Sequence, residues 1–490
     1  MSGWTLTLAQ ATTPDVPPGV LDRIESVARD LDQVRARVEG LREVTGLASK
    51  PHVTRLDIFH GYIGVFFIAF IVALLATPLM RRLALANGII DRPSEARKVH
   101  RVPVAYLGGV AVFLGILGGI LYSYLGNVMP GLIEFHPSQY LGEEGSPAPV
   151  PLSVLLGLTI IMLVGLLDDV VGIQPRVKVG GQLIAAAALA ADDVGVKVAA
   201  GFMGWLGQMV GFTQMVRHIE IPASIPLLGG HEITLDLVYW VGTAIIAIFI
   251  IGACNASNLI DGLDGLLSGV TGIAAAGLLV IALTLAMQDS GPRDAQRVVM
   301  CLALLGACLG FLPHNFNPAS IFLGDCGSLL LGYFTIVIIL TLGDQGQTHL
   351  VLAGLVIYSI PIMDTVLAII RRKLAGKSLS AADDQHLHHM LKRALGVKGA
   401  VLTLYGLGIS FAVLGVAMSV IRARVVYAII VIIASFIVVT AIKIARRKQL
   451  EEQAIRFAAG IARDPSLSAH PPLNPAPPPP VAPAHQPGSV

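Results

Sequence analysis

Residues 151–182 read PLSVLLGLTIIMLVGLLDDVVGIQPRVKVGGQ. No ionisable side chain occurs before Asp168; Asp169 stands beside it, and Arg176 and Lys178 follow. A helix over this run rises ~1.5 Å per residue and nearly crosses the ~30 Å hydrocarbon layer of a bilayer. Adjacent carboxylates at a membrane boundary are costly unless a cation or a proton compensates them. The segment predicts a membrane-spanning helix that delivers charged chemistry to one face.

The rest of the 490-residue chain repeats the apolar half of that pattern. Hydrophobic residues make up 54% and Lys, Arg, Asp and Glu only 13%, half the ~25% of soluble domains. Aromatics at 6% and 52 glycines suit transmembrane helices better than barrel strands. A formal net charge of +2 without a long basic face argues against a nucleic-acid binder. Cys254, Cys301, Cys308 and Cys326 lie in or beside apolar runs with no C-x-x-C pair. They read as buried small hydrophobes, not as disulfides or a zinc site.

Apolar runs near 60–80, 104–125, 151–168, 179–197, 236–254, 266–287, 296–313, 322–341, 348–370, 399–419 and 424–443 predict eleven spans. The expected fold is an all-α polytopic integral membrane protein with its active-site cleft at the cytoplasmic face. Phe202–Phe212 is short and glycine-containing and reads as a re-entrant or interfacial piece. Residues 1–59 form a charged extension in which Leu21, Ile24, Val27, Leu31, Val34, Val38 and Leu41 recur at helical spacing. That amphipathic helix lies on the membrane, pairs with a copy of itself, or binds a protein partner through residues 18–45. The transmembrane domain is placed at 60–445. Residues 446–490 are first basic and then proline-rich, with ten prolines among the 26 residues from Pro465, as in a disordered polyproline-like tail. Met1–Gln10 lacks the basic start of a signal peptide.

Basic residues set the orientation. Arg81, Arg82, Arg92, Arg97, Lys98 and Arg101 follow the first span, Arg176 and Lys178 the third, Arg371, Arg372, Lys373 and Lys377 the ninth, and Arg446, Arg447 and Lys448 the eleventh. With eleven spans these share one side, which short-loop Lys and Arg mark as cytoplasmic. The amino-terminal extension then faces outward.

The unusual polar groups gather on the same side. Asp168 and Asp169 read either as a solvated helix end or as a site for Mg²⁺ and phosphate oxygens, since Mg²⁺ takes one or two carboxylates plus substrate phosphates. In CNASNLIDGLDGLLSG, Asn255, Asn258, Asp261 and Asp264 step by three along one broad helical face. Such a run inside apolar sequence is a site by default, with a polar packing seam as the rival. Asp325, between glycines in NFNPASIFLGDCGSLLLG, is a third metal-binding position or a helix cap. In DDQHLHHML, His386, His388 and His389 follow Asp383 and Asp384 and suit diphosphate contacts, a transition metal or a structural loop network. Lys98 and His100, in DRPSEARKVHRVPVAYLGG, offset phosphate charge or simply obey the orientation rule. Carboxylates, amides, a lysine and imidazoles at one membrane face suit phosphoryl transfer between a diphosphate and a lipid phosphate, which is mostly positioning and charge neutralisation. A channel would need a polar path through the bilayer.

These motifs, with PIMDTVLAIIRR, resemble in order and kind the polyprenyl-phosphate N-acetylhexosamine-1-phosphate transferases (glycosyltransferase family 4), which include the phospho-N-acetylmuramoyl-pentapeptide transferases. The resemblance covers roughly residues 62–443. It implies an inner-membrane, multi-pass enzyme of bacteria that uses Mg²⁺, transfers a sugar phosphate from a UDP-sugar to undecaprenyl phosphate, and releases UMP. It also makes a homodimer plausible. Carried over residue by residue, it implies catalytic roles for Asp168, Asp169, Asp264, His388 and His389, one of the paired aspartates activating the lipid phosphate. Lys98, His100, Lys178, Asn255, Asn258, Asp261, Asn315, Arg371, Arg372 and His386 are expected to contact substrate. Asp325, Asp168 and Asp261 are expected to hold Mg²⁺. The muramoyl-pentapeptide branch typically has three consecutive histidines followed by Phe and Glu. HLHHML departs from that and resembles the N-acetylglucosamine branch.

The expected reaction is therefore transfer of N-acetylglucosamine-1-phosphate from UDP-N-acetylglucosamine, initiating a lipid-linked cell-surface glycan. Other UDP-N-acetylhexosamine donors and a muramoyl-pentapeptide donor are the alternatives. A covalent aspartyl-phosphate route rivals direct attack. A lipid-linked sugar or nucleotide-sugar transporter would show paired internal repeats, which the sequence lacks.

Overall fold

The computed structural model describes residues 54–91, 103–129, 150–201, 233–288, 293–374 and 386–421, with the segment 218–221 and scattered positions besides. Lys98 and His100 lie outside the described residues, as do nearly all of the 18–45 helix and of the Phe202–Phe212 piece and the whole proline-rich tail; of the run at 424–443 only scattered positions are described.

Among the described residues the elements are α1 (Arg55–Ala86), β1 (Ile90–Asp91), β2 (Val104–Ala105), α2 (Gly108–Val128), α3 (Leu152–Val171), α4 (Pro175–Ala191), β3 (His218–Ile221), β4 (Ile233–Asp236) and α5 (Leu237–Ile260). Then come α6 (Leu266–Met287), α7 (Asp294–Asn315), α8 (Gly324–Thr341), α9 (Thr348–Ile357), α10 (Ser359–Leu374) and α11 (Leu387–Ser419). Eight of these helices, namely α1, α2, α3, α5, α6, α7, α8 and α11, are long and apolar enough to cross a membrane. α9 and α10 are long and apolar enough only when taken together, and they are bent by 83° at their junction. α4, at 17 residues, is at the short limit for a span. Those eight, the bent pair and α4 answer ten of the eleven runs read from the sequence.

α8 is the axis of the bundle: every side chain from Cys326 to Thr341 is buried, against α2, α3, α5, α6, α7 and α9. The outer helices instead turn apolar rows outward, such as Phe67, Ile71, Leu75 and Leu79 on α1 and Leu156, Leu163 and Leu167 on α3. Lipid is the solvent such rows require. Small residues set how closely the inner helices approach. A Cβ on Gly306 or Gly310 of α7 would fall 2.4 or 2.3 Å from the carbonyl oxygens of Phe66 and Phe70 on α1, so only glycine allows this contact. At the end of α7 remote from Asn315, the Arg297 guanidinium donates to Asp294 at 2.6 Å and to the Thr341 carbonyl at 2.8 Å, fixing α7 against α8.

The opposite ends of the helices converge. There β1 and β2 pair antiparallel, Ile90 opposite Ala105 and Asp91 opposite Val104. Ala105 also bridges Ile321; Phe322 N–H donates to its carbonyl at 2.9 Å, and Gly108 N–H donates to Phe322 O at 3.0 Å. This knot ties the entry of α2 to the entry of α8, and the polar residues collect beside it.

Candidate active site

α3 delivers Asp168 and Asp169 in its last turn, where α8 presents the unsatisfied N–H groups of its first turn. Asp169 accepts from Asp325 N at 2.8 Å through Oδ1 and from Cys326 N at 2.9 Å through Oδ2. A carboxylate of one span thus caps another, the placement the helix dipole favours. Gly324 makes it fit: its φ is +69° and a Cβ there would lie 2.4 Å from Asp169 Oδ2. The glycines around Asp325 therefore answer to geometry.

The cap sets Asp325 at the mouth of the site. Asn258 of α5 donates to Asp325 Oδ1 at 2.8 Å and to Ser328 Oγ at 3.0 Å. Lys178 of α4 bridges two carboxylates, Asp168 Oδ2 at 2.7 Å and Asp325 Oδ2 in a closer contact. Asp168 Oδ1 accepts from Ile173 N at 3.0 Å. Two carboxylate oxygens from different helices therefore converge on one ammonium.

Beside them lies a polar cavity of about 370 Å³, walled by Asp91, Tyr106, Asn258, Asp261, Asp264, Asn315, Phe322, Asp325 and His389. Asp261, the residue that ends α5, is half-buried on this wall. Burial first, and then the carboxylates of Asp325, Asp169 and Asp264, push its pKa up to about 8. Asp264 is anchored, its Oδ2 accepting from Asn317 Nδ2 at 2.9 Å and Ala319 N at 3.0 Å. Asn315 staples the turn before α6, accepting from Gly265 N at 3.1 Å and Ser268 Oγ at 2.9 Å while donating to Ile321 O at 3.1 Å.

The histidines enter from the start of α11. His389 lines the cavity. His388 is buried, with its Nε2 against Gly262, where a Cβ would come within 2.6 Å. His386 is buried and bonded to Asp364 of α10. Not every expected residue reaches the cavity wall. Asn255 sits a turn earlier in α5 and donates to Gln182 Oε1 at 3.2 Å and Ile251 O at 2.7 Å. Arg371 and Arg372 occupy the last turn of α10, outside that wall. Asp91, Tyr106, Phe322 and Asp364 were missed by the sequence reading. An aspartate isolated in the apolar PIMDT stretch was the available signal for Asp364.

Among the described residues no group of three His, Cys, Asp or Glu side chains is arranged to hold a metal ion. The Lys178 ammonium nevertheless marks a cation-sized position between Asp168 and Asp325. One or two carboxylates suffice for Mg²⁺ when phosphates complete its shell, so the donor set fits that ion.

A second cavity, of about 440 Å³, is almost wholly apolar. It lies between α5, α8, α9, α10 and α11, with Ile248, Phe249, Ile336, Leu355, Met363 and Phe411 on its walls, where α10 turns away from α9.

The family model described as glycosyl transferase family 4 matches residues 151–343. A protein of Bacillus subtilis (strain 168), named "Probable undecaprenyl-phosphate N-acetylglucosaminyl 1-phosphate transferase", is 31% identical over 352 residues, which are 71% of this chain and 83% of that protein. The decaprenyl-phosphate N-acetylglucosaminephosphotransferase of Mycobacterium tuberculosis is 33% identical over 336 residues, 66% of this chain and 74% of its own. The phospho-N-acetylmuramoyl-pentapeptide-transferase of Bacillus cytotoxicus is 30% identical over 363 residues, 71% of this chain and 95% of its own.

Proposed function

The chain belongs to glycosyl transferase family 4, and on that footing we propose that it transfers N-acetylglucosamine-1-phosphate from UDP-N-acetylglucosamine to undecaprenyl phosphate, releasing UMP and initiating a lipid-linked glycan. The observation that carries the reading is the pairing of cavities in one bundle, an acidic one at the helix ends and an apolar one between the helices. A nucleotide diphosphate sugar and a prenyl phosphate need those two environments. The relatives named for transfer of N-acetylglucosamine phosphate to polyprenyl phosphates support the donor and the acceptor. The muramoyl-pentapeptide donor stays a second reading because such a relative is covered over 95% of its length.

In this mechanism a lipid-phosphate oxygen attacks the β-phosphorus of the donor. A P–O bond forms to the lipid phosphate, the bond from the β-phosphorus to the bridging oxygen breaks, and UMP leaves with that oxygen. Asp325 and Asp168, with Asp261 on the adjoining wall, would hold Mg²⁺, which when bound neutralises diphosphate charge. Lys178, whose ammonium holds that position in the structure, would supply positive charge to the phosphates when the ion is bound there. Asp168 orients the acceptor phosphate, which near neutral pH is already largely ionised, so that steering matters more than proton removal. Both oxygens of Asp169 are engaged by backbone N–H groups, which disfavours it as a nucleophile and leaves Asp168 as the carboxylate that an aspartyl-phosphate route would use. His389 and Asn258 contact the diphosphate, and His388 backs His389.

Arg81 and Arg82 near the end of α1, Arg176 and Lys178 in α4, and Arg371 and Arg372 at the end of α10 all lie toward the acidic cavity's end of the bundle. By the positive-inside rule that distribution supports a cytoplasmic-face cavity, and the bacterial relatives support an inner-membrane location. The test is a donor panel: purified protein, Mg²⁺, undecaprenyl phosphate and UDP-N-acetylhexosamines, with UMP and lipid mass read together. UMP alongside a diphosphate-linked N-acetylglucosamine lipid is expected. Product only from the muramoyl-pentapeptide donor would move the assignment to the second reading.

A further inference from the structure

Asp364 is fully buried in α10, on a stretch whose neighbours Met363 and Thr365 line the apolar cavity. A carboxylate there survives only with partners. Its partners all come from the start of α11. Oδ2 is 2.8 Å from His386 Nδ1, Oδ1 accepts from Leu387 N at 2.7 Å, and Oδ2 is also 3.7 Å from His388 Nδ1. Leu387 N is the first N–H of α11, so Asp364 caps that helix from a different one.

The imidazoles continue from this anchor toward the polar cavity. His386 stacks on His388 with centroids 5.5 Å apart and planes 18° from parallel, and His388 meets His389 at 4.2 Å. Only His389, the last of the three, lines the cavity. No carboxylate other than Asp364 is paired with His386 or His388 among the described residues. The motif is thus held from behind, by a helix that walls the apolar slot.

We propose that Asp364 is the positioning residue of the histidine motif: by accepting from His386 Nδ1–H and Leu387 N–H it fixes the tautomer of His386 and the start of α11, and through the imidazole stack it holds His389 against the polar cavity. The proposal rests on the reading that His389 contacts the donor diphosphate. Asp364 itself touches neither substrate. Removing the carboxylate leaves the helix end and the ring free to shift, and small misplacements of a positioned group are costly in rate.

The experiment combines kinetics with ¹⁵N imidazole spectra of the full chain, the His386 signal assigned through His386→Gln. Asp364→Asn is expected to lower kcat about 10–100-fold, the range for groups that orient a ligating histidine. KM for the UDP-sugar should move by less than about threefold, the split expected for a contact tightened in the transition state. The His386 Nδ1–H signature should be lost in Asp364→Asn, and Asp364→Glu should recover part of both rate and signal. In a His386→Ala background, Asp364→Asn should cost little more, because both changes break one linkage. Wild-type kcat in Asp364→Asn, or full multiplicative losses in the double variant with unchanged imidazole signals, would overturn the proposal. Failure of the wild type to transfer any donor would instead defeat the functional reading, while the imidazole spectra would still decide the linkage.

Discussion

Asp169→Ala is the perturbation that separates a helix cap from a catalytic base. In the structure Asp169 spends both oxygens on Asp325 N and Cys326 N, at 2.8 and 2.9 Å. Losing an ordinary N-cap costs about 0.5–2 kcal/mol. Two hydrogen bonds to a charged acceptor add to about 3–6 kcal/mol at most. The site is half-buried, so water recovers part of this and the expected loss is about 2–4 kcal/mol. Asp168→Ala gives up only the Ile173 N contact and one side of the Lys178 bridge, while Lys178 keeps Asp325, so its cost should stay under about 1.5 kcal/mol. The assay is equilibrium unfolding in mixed detergent micelles followed by circular dichroism, run on both variants beside transfer activity. Asp169→Ala should lose both stability and activity, because the cap also places Asp325. Asp168→Ala should lose activity with little change in stability. Equal stability of Asp169→Ala and wild type would refute the capping argument.

Other perturbations test other parts of the site. Lys178→Met should lower transfer at least about tenfold and raise nucleotide-free Mn²⁺ affinity, measured by titration calorimetry, since the ammonium now sits between Asp168 and Asp325 where a divalent ion would bind. Asp261 has its folded pKa raised to about 8, above the ordinary 3.8, so the folded state holds its proton longer than the unfolded state and stability falls as pH rises through that window. Asp261→Asn should therefore melt like wild type near pH 4, above it by a margin that grows toward pH 8, and by a constant margin beyond. Filling the apolar cavity with Ala256→Phe should raise KM for the prenyl acceptor while leaving KM for the UDP-sugar unchanged in steady-state kinetics.

Much of this architecture was legible in the sequence because a bilayer enforces length and hydropathy. The runs at 60–80, 266–287 and 322–341 each reappear as a helix, and the carboxylates at their edges had to meet water, a cation or each other. Other features depend on long-range geometry. The run at 348–370 reads as one span, but it breaks at Tyr358 and restarts at Ser359, with Pro361 seated in the first turn of α10, and periodicity does not register such a bend. Asp91 and Tyr106 reach the cavity through the pairing of β1 with β2, two strands of two residues each, too short to leave a pattern. Asp169 looked interchangeable with Asp168. Only the approach of α8, 156 residues further on, divides them into a cap and a half-buried partner of Lys178. The histidines were visible, but their order of action was not, because Asp364 anchors His386 from another helix.

In the proposed reaction the phosphorus next to the sugar travels with it. Donor labelled with ³²P in the β-position, incubated with the purified protein, Mg²⁺ and undecaprenyl phosphate, tests this most directly. Label in the lipid product, unlabelled UMP and no labelled protein after rapid acid quench are expected. Label released as inorganic phosphate or retained in UDP, or an acid-stable phosphoprotein at Asp168, would contradict it.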